Sequence, residues 1–192
     1  MVDFAIHAFM YNIIFMAKQK MVQLNNMWKD RGIPSDLKVK LLKCLIWPVL
    51  LYGSEAWTCR KADEKRLEAA EMWFYRRLLR VKWTDKRTNI SILAELAVKR
   101  EVLNEVNKRR LKYIGHACRN RNTALMATVL QGKIEAKRKA GRPAISYLKN
   151  VQKISQLKLQ DIVHKSQNRS TWARVVKSST VAANIDDDDA DR

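Results

Sequence analysis

Clustered arginine and lysine side chains beside aromatic residues are the feature of this sequence with the clearest chemistry. The segment WFYRRLLRVK, residues 73–82, is one such cluster, and residues 108–119 and 132–143 hold two more. Lysine and arginine neutralise phosphate groups and release their counterions, so the clusters predict contacts with the phosphate backbone of DNA or RNA. The predicted contact residues are Arg76, Arg77, Arg80, Lys82, Lys108, Arg109, Arg110, Lys112, Arg119, Lys133, Lys137, Arg138, Lys139 and Arg142.

Two of these clusters also fit other interpretations. The segment GKIEAKRKAGRP, residues 132–143, is bounded by glycines and a proline, which favours an exposed loop or hairpin. A solvated charge run or a nuclear-import signal would have the same composition. The basic residues at 108–112 follow a short helix and a tight turn, as in a helix-turn-helix, but helical hairpins of this kind more often serve plain packing. No base-specific contact is implied by either cluster.

The sequence does not predict a catalytic or metal-binding site. His116 lies in YIGHACRN without a serine, cysteine or carboxylate placed to complete a triad, so a structural role is favoured. Cys44, Cys59 and Cys118 are too scattered for a disulfide framework and have no CxxC partner for zinc. The run of aspartates at 186–189 lacks the fixed geometry that a catalytic metal needs. We expect no catalytic residue, no metal and no cofactor.

The charge balance sets the class of partner. Lysine and arginine number 38 against 19 acidic residues, a net charge of +19. Residues 186–192 contain five Asp and one Arg, so the rest of the chain has 37 basic and 14 acidic residues and a net charge of +23. Such a charge indicates a phosphate-rich partner, although a basic surface without a dedicated ligand is the plain alternative. A hydrophobic fraction of 47% argues against global disorder.

Apolar residues at helical spacing predict the elements that hold the basic side chains. Leu67, Ala70, Phe74 and Leu78 recur at steps of three or four, which predicts a helix over residues 61–82 with cations at its C-terminal end. Further helices are predicted at 16–29, at 37–52 with an interruption at Pro48, and at 89–96, capped by Thr88 or Asn89. The last are predicted at 99–119, 145–154 and 157–163, and after a cap at Ser170.

These elements predict an all-α fold: a helical bundle with a small basic hairpin or loop and a helical C-terminal appendage. The predicted divisions are a divergent N-terminal segment at 1–15, a bundle at 16–82, a helical hairpin region at 83–131, a basic loop with C-terminal helices at 132–178, and an acidic disordered tail at 179–192. Residues 2–17 are apolar, but charged and polar residues interrupt them and they are short for a membrane span. We expect no membrane partner and an intracellular location, nuclear or cytoplasmic.

Four segments, in this order, carry a resemblance to a known family. They are LLYGSEAWTCRKADEKRLEAAEMWFYRRLLRVKWTDKRTN at 50–89, RRLKYIGHACRN at 109–120, GKIEAKRKAGRPAISYLKN at 132–150 and NRSTWARVV at 168–176. Together they resemble the region C-terminal to the palm in reverse transcriptases of non-LTR, LINE-type retrotransposons. The resemblance covers roughly residues 13–178 and implies a thumb-like bundle followed by the post-thumb region.

The resemblance also implies a role for the basic residues. In the family the thumb grips the primer-template duplex and the region after it engages target DNA or element RNA, which would assign backbone contacts to the residues named above. Trp57, Trp73 and Trp172 match the family's pattern as well, although aromatic residues at helical spacing are usually core and base stacking is the minority option. The family's metal ions, Mg²⁺, are held in a palm by an aromatic-Ala-Asp-Asp motif that does not occur here.

We therefore expect a nucleic-acid-binding fragment of an RNA-directed DNA polymerase, without the catalytic palm or the endonuclease and not catalytic by itself. The partner is the phosphate backbone of DNA or RNA, whose attraction does not depend on the sugar. The alternative is a helical protein-interaction module or a decayed remnant of a retrotransposon. A third expectation is an accessory subunit that joins a separately encoded polymerase palm.

Overall fold

The computed structural model describes residues 2–119 and 147–182. All regular secondary structure in these two ranges is helical, which confirms the predicted all-α fold. The described residues divide into two compact units, the first within Met1–Gly53 and Cys59–Leu103 and the second within Ser54–Thr58 and Asn104–Arg192. The predicted basic loop at 132–143 and the run of aspartates lie outside the described residues, and the predicted domain boundaries stay predictions.

The first unit is built around its fifth α-helix. Its α-helices are α1 (Val2–Gln23), α2 (Asn25–Lys29), α3 (Ser35–Leu45), α4 (Trp47–Leu50), α5 (Lys61–Leu78) and α6 (Asn89–Leu96). Helix α5 packs against α1, α2, α3 and α6. Leu67, Phe74 and Leu78 are buried on α5 as their spacing predicts, and Met21 and Leu42 meet the same core from other helices.

Proline and glycine divide the chain between α3 and α5. Ile46 separates α3 from α4, and Pro48 lies in the first turn of α4, where its missing N–H is not needed. Gly53 follows with a φ of 66°, a left-handed conformation that glycine adopts without strain. The interruption predicted at Pro48 is thus confirmed, whereas the helix predicted to run to residue 52 ends at Leu50. The helix predicted at 16–29 is instead broken at Leu24 into α1 and α2.

Helix α5 ends earlier than predicted. Its last helical residue is Leu78, and Arg80 follows with a φ of 58°. The Val81 N–H donates to the Arg76 carbonyl at 2.9 Å, and the Arg80 N–H donates to the Arg77 carbonyl at 3.2 Å. These two bonds form a Schellman turn, which usually has glycine at the left-handed position. The chain then turns through Trp83–Asp85, a 3₁₀ segment, to α6, where the Thr88 hydroxyl accepts from the Ser91 N–H as predicted.

The second unit is a cluster of four helices around a tryptophan. Helix α7 (Val102–Arg119) enters it from residue 104, and α8 (Tyr147–Ser155), α9 (Leu159–Gln167) and α10 (Arg169–Ala182) pack on one another. The Trp172 indole is buried and donates to the Leu111 carbonyl at 2.8 Å. Trp57 is also buried in this unit, so the prediction that Trp57 and Trp172 are core residues is confirmed.

The start of α10 differs from the prediction. Asn168, not Ser170, caps the helix, because its Oδ1 accepts from the Ser170 N–H at 3.0 Å and the Thr171 N–H at 3.2 Å. Asparagine and serine are both good N-caps, and the sequence alone did not distinguish them. Across the described residues, no helix is long and apolar enough to cross a bilayer.

Candidate nucleic-acid interface

A groove in the first unit lies beside the C-terminal end of α5. It has a volume of about 1030 Å³ and is formed by α2, the end of α5, and the loop that leads to α6. Of the described residues that line it, seven are lysine or arginine and none is acidic. The lining residues are Asn25, Trp28, Lys29, Trp73, Arg76, Arg77, Arg80, Val81, Lys82, Lys86, Arg87 and Thr88.

Two tryptophans give the groove an apolar lining. Trp28 is 1% exposed, and its indole N–H donates to the Met21 carbonyl at 3.0 Å. Trp73 is half-buried and packs edge to face on Phe74 with the ring centroids 5.4 Å apart. The position of both indoles is therefore fixed by the core of the unit.

Two of the arginines hold the groove wall in place. The Arg76 Nη2 donates to the Arg87 carbonyl at 2.8 Å and to Asn89 Oδ1 at 2.9 Å. The Arg87 guanidinium pairs with the Glu95 carboxylate and donates to the Ser91 hydroxyl at 3.0 Å. Because these side chains connect the loop to α5 and α6, their role is to hold the shape of the groove, and their charge is already engaged in these contacts.

Five other cations of the groove have no carboxylate partner among the described residues. Lys29, Arg80, Lys82 and Lys86 are exposed, whereas Arg77 is half-buried. The Arg77 guanidinium lies 5.5 Å from the centroid of the Trp73 ring, and its buried Nε has no hydrogen-bond partner among the described residues.

Strained backbone accompanies the cations. Arg80 and Lys86 have φ values of 58° and 46°, in the left-handed region that residues with a Cβ atom rarely adopt. Such residues concentrate at binding sites, where the fold holds them in place at a cost in stability. The two residues lie on the loop that forms the groove wall.

The predicted contacts on α7 are placed differently, in the second unit. Lys108 pairs with Glu105 at 3.0 Å, Arg109 lies 3.7 Å from the same carboxylate, and the Arg119 Nη1 donates to the Ser166 carbonyl at 2.7 Å. Lys112 is exposed.

Arg110 requires a correction. It is 1% exposed, and its Nη1 lies 3.5 Å from the side-chain oxygens of Asn107 and Asn150. A side chain buried to this degree is not available for the surface contact with phosphate that the basic cluster predicted. The remaining predicted contacts, Lys133, Lys137, Arg138, Lys139 and Arg142, lie outside the described residues.

Three cations of the groove were not among the predicted contacts. The fold brings three further residues to the groove beside the basic end of α5: Lys29, which is distant in sequence, and Lys86 and Arg87, which lie in the loop after the helix. The adjacent pair Lys86 and Arg87, in a polar loop directly after a basic helix end, was a usable signal for two of them. Lys29 offers none, because it is a single lysine at the end of a short helix.

A buried carboxyl group on α5 was also missed. Glu71 is 1% exposed, and its carboxylate accepts from the Glu101 N–H at 2.9 Å, the Val102 N–H at 3.3 Å and the Tyr75 hydroxyl at 3.1 Å. It thereby caps the start of α7. Burial raises the pKa of Glu71 to about 7, even though these hydrogen bonds favour the charged form. Its position four residues after the buried Leu67 was a signal that the glutamate faces inward.

No group of three or more histidine, cysteine or acidic side chains in the part of the chain that is described could hold a metal ion. His116 is exposed on α7, and Cys118 is partly buried near the end of that helix. The groove therefore offers the chemistry of cations and indoles: it can attract and hold an anion.

Comparison with known proteins finds a related chain. Over 99 residues the sequence is 31% identical to a Caenorhabditis elegans protein described as uncharacterized and transposon-derived. The match takes in 48% of this chain and 34% of the relative. The sequence is similar to a transposon-derived protein. It spans about a third of the relative's length, and neither a family model nor a solved structure matches it.

Proposed function

We propose that this chain is a nucleic-acid-binding piece of a retrotransposon reverse transcriptase, which holds a phosphate backbone in the groove beside α5. The observation that carries the proposal is the groove itself, a concave surface lined by five cations that have no carboxylate partner within the described ranges 2–119 and 147–182. Like charges brought together in a cleft raise its potential and attract a polyanion. The transposon-derived relative supports the origin, and the resemblance to the thumb and post-thumb regions of non-LTR enzymes supports the finer assignment.

The contacts follow from the geometry of the groove. Arg77 would bind a phosphate oxygen through the part of its guanidinium that lines the groove, since guanidinium groups form strong charge-assisted bonds with phosphate. The exposed Arg80 and Lys82 would neutralise neighbouring phosphates. Arg76 and Arg87 would act indirectly, by keeping the wall of the groove in shape. No role in bond formation is assigned to the chain.

Binding to fluorescently labelled DNA or RNA tests the proposal. A variant with Arg77, Arg80 and Lys82 changed to serine removes three cations from the groove, and we expect its affinity to fall by at least about tenfold, since phosphate contacts dominate such binding. A control variant changes Lys20, Lys61 and Lys65 to serine. These lysines are exposed in the same unit but do not line the groove, so the net charge falls equally.

The control variant distinguishes binding in the groove from attraction by the charge of the whole molecule. If the groove is the binding site, the control variant keeps most of the affinity of the unmodified chain. Equal losses in the two variants would mean that the charge of the whole molecule, and not the groove, attracts the nucleic acid. No binding by the unmodified chain at low salt would contradict the proposal altogether.

A helical protein-interaction module is the second candidate, and one observation favours it. Helix α1 exposes several large apolar side chains, namely Phe9, Tyr11, Phe15, Met16 and Val22. An accessory subunit that joins a separately encoded palm would use such a surface. The two candidates differ in their response to salt, because apolar contacts persist at salt concentrations that release phosphate contacts.

A further inference from the structure

The groove combines an apolar lining with its cations, and this combination bears on the form of nucleic acid that it accepts. Trp73 is half-buried in the lining, next to the fully buried Trp28. A duplex keeps its bases stacked inside and presents mainly phosphates and sugars to such a surface. A single strand also exposes the faces of its bases, which pack on aromatic side chains.

Trp73 and Arg77 together form a platform for a base. The guanidinium lies 5.5 Å from the centroid of the indole ring, and the ammonium group of Lys18 lies 5.4 Å from the same centroid. Each of these cations lies over the indole ring, so the surface that Trp73 and Arg77 together offer to the groove is the guanidinium of Arg77 backed by the indole. Bases of single strands stack on both kinds of group, on aromatic rings and on guanidinium planes.

The cations around this platform are placed for the backbone of the same strand. Arg80 lies three residues after Arg77, past the end of α5, and Lys82 comes two residues later; both are exposed and line the groove. The Arg77 guanidinium, which lines the groove as well, adds positive charge beside the indole. A strand lying in the groove would thus meet a stacking surface and phosphate ligands together.

We infer that the groove binds single-stranded nucleic acid, with one base stacked on the Trp73–Arg77 platform and adjacent phosphates on Arg80 and Lys82. This inference rests on the proposed function and goes beyond it, because the proposal made from charge alone treats single strands and duplexes alike. Deoxyribose and ribose strands share this chemistry, and both serve as probes.

The test compares probes of equal length that differ in one feature at a time. They are oligothymidine, oligouridine, an abasic strand with the same number of phosphates, and a DNA duplex. We expect at least one of the two single strands to bind about tenfold more tightly than the abasic strand, since stacking of a base on an aromatic residue is worth that much or more. We expect the duplex to bind more weakly than that strand.

Changing Trp73 to leucine should remove most of the advantage of bases over the abasic strand, measured as the ratio of the two affinities. Changing Tyr52 to leucine is the control, because Tyr52 is an aromatic residue 66% exposed outside the groove and should not alter any of the affinities. The comparison of probes on the unmodified chain remains decisive if the Trp73 variant does not fold.

The outcomes separate the inference from the proposed function. If the abasic strand or the duplex binds as tightly as both single strands, and the variant of three groove cations still loses affinity, the stacking platform is refuted and the groove as a phosphate site stands. If none of the probes binds, both fail.

Discussion

Two adjacent arginines of α5 have different partners. Arg76 donates to the Arg87 carbonyl and to Asn89, whereas the Arg77 Nε finds no partner in the part of the chain that the structure describes. We predict that Arg76→Gln lowers the free energy of unfolding by about 2 kcal/mol, the typical loss for hydrogen bonds of a charged group. Arg77→Gln should leave stability nearly unchanged and weaken nucleic-acid binding.

Urea unfolding and a binding titration on both variants check this prediction. The result that contradicts it is the reverse pattern, with Arg77→Gln unfolding more readily or Arg76→Gln losing affinity without losing stability. Lys65→Gln, on the exposed side of the same helix, is the matched control for the loss of one charge.

Glu71 predicts an unusual dependence of stability on pH. Its pKa is raised from 4.5 to about 7 by burial, so between these values the folded chain holds a proton that the unfolded chain has lost. Its contribution is complete below pH 4.5 and disappears as the pH rises through 7, which amounts to about 3 kcal/mol. Stability should therefore fall from pH 5 to pH 8.

The substitution Glu71→Gln removes the titratable carboxyl group and therefore tests this prediction. The free energy of unfolding of this variant, measured at several pH values, should vary much less between pH 5 and pH 8 than that of the unmodified chain. The same decline in both proteins would show that other groups cause it.

The sequence identified most of the groove's arginines but not their roles. The cluster at 76–82 was visible because its members are close in sequence. The division between Arg76 and Arg77 was not, because it depends on Arg87 and Asn89, which are brought to α5 by the loop. Arg110 was misassigned for the same kind of reason, since only the packing of the second unit shows that it is buried.

At the scale of elements, two helix ends carry the same strain with different consequences. Arg80 follows α5 and Ala97 follows α6, with φ values of 58° and 51°. Glycine at such a position avoids a cost of about 1 kcal/mol. Ala97→Gly should therefore raise the free energy of unfolding by about that amount, and Arg80→Gly by less, because it also removes a cation from a helix C-terminus.

Only Arg80→Gly should weaken nucleic-acid binding, because Ala97 does not line the groove. Unfolding in urea and binding titrations measure the two effects separately. An Arg80→Gly variant that binds as tightly as the unmodified chain would remove this residue from the interface.

Helix α7 packs on Trp172 at a position that only glycine can occupy. A Cβ atom on Gly115 would lie 2.1 Å from the Trp172 Nε1, whose hydrogen bond to the Leu111 carbonyl would have to break. We predict that Gly115→Ala destabilises the second unit by about 3 kcal/mol, the upper range for overpacking. Glycine to alanine inside a helix is otherwise favourable, so the direction of the change is diagnostic.

Tryptophan fluorescence during thermal unfolding measures this effect, with Gly32→Ala as the control. Gly32 faces only the flexible Asp30 carboxylate, and its substitution should change stability little. A Gly115→Ala variant as stable as the unmodified chain would contradict the close packing of α7 against Trp172.

The helices themselves were largely predictable, because apolar periodicity, Pro48, Gly53 and the Thr88 cap all act locally. The ends of the helices were less predictable. Nothing in the sequence around Leu24 marks the break between α1 and α2, and the stop after Leu78 places arginine where glycine is usual. The local sequence favours a longer α5. The observed earlier end coincides with the Schellman turn and with the hydrogen bond from Arg76 to the carbonyl of Arg87 in the following loop.

For the whole molecule, the net charge of +19 predicted a polyanionic partner but not where it binds. Charge is a property of composition, whereas the groove depends on α2, α5 and the loop before α6 coming together. We therefore propose more than general attraction: a small set of cations at one place makes the contacts with phosphate.

The slope of the logarithm of affinity against the logarithm of salt concentration counts those contacts. Each phosphate contact contributes about 0.7 to the slope for a single strand. Changing Arg77, Arg80 and Lys82 to serine should therefore reduce the slope by about 2, while the Lys20, Lys61 and Lys65 variant keeps the slope of the unmodified chain. An unchanged slope in the groove variant, or the same reduction in both variants, would contradict the claim that the groove holds the backbone.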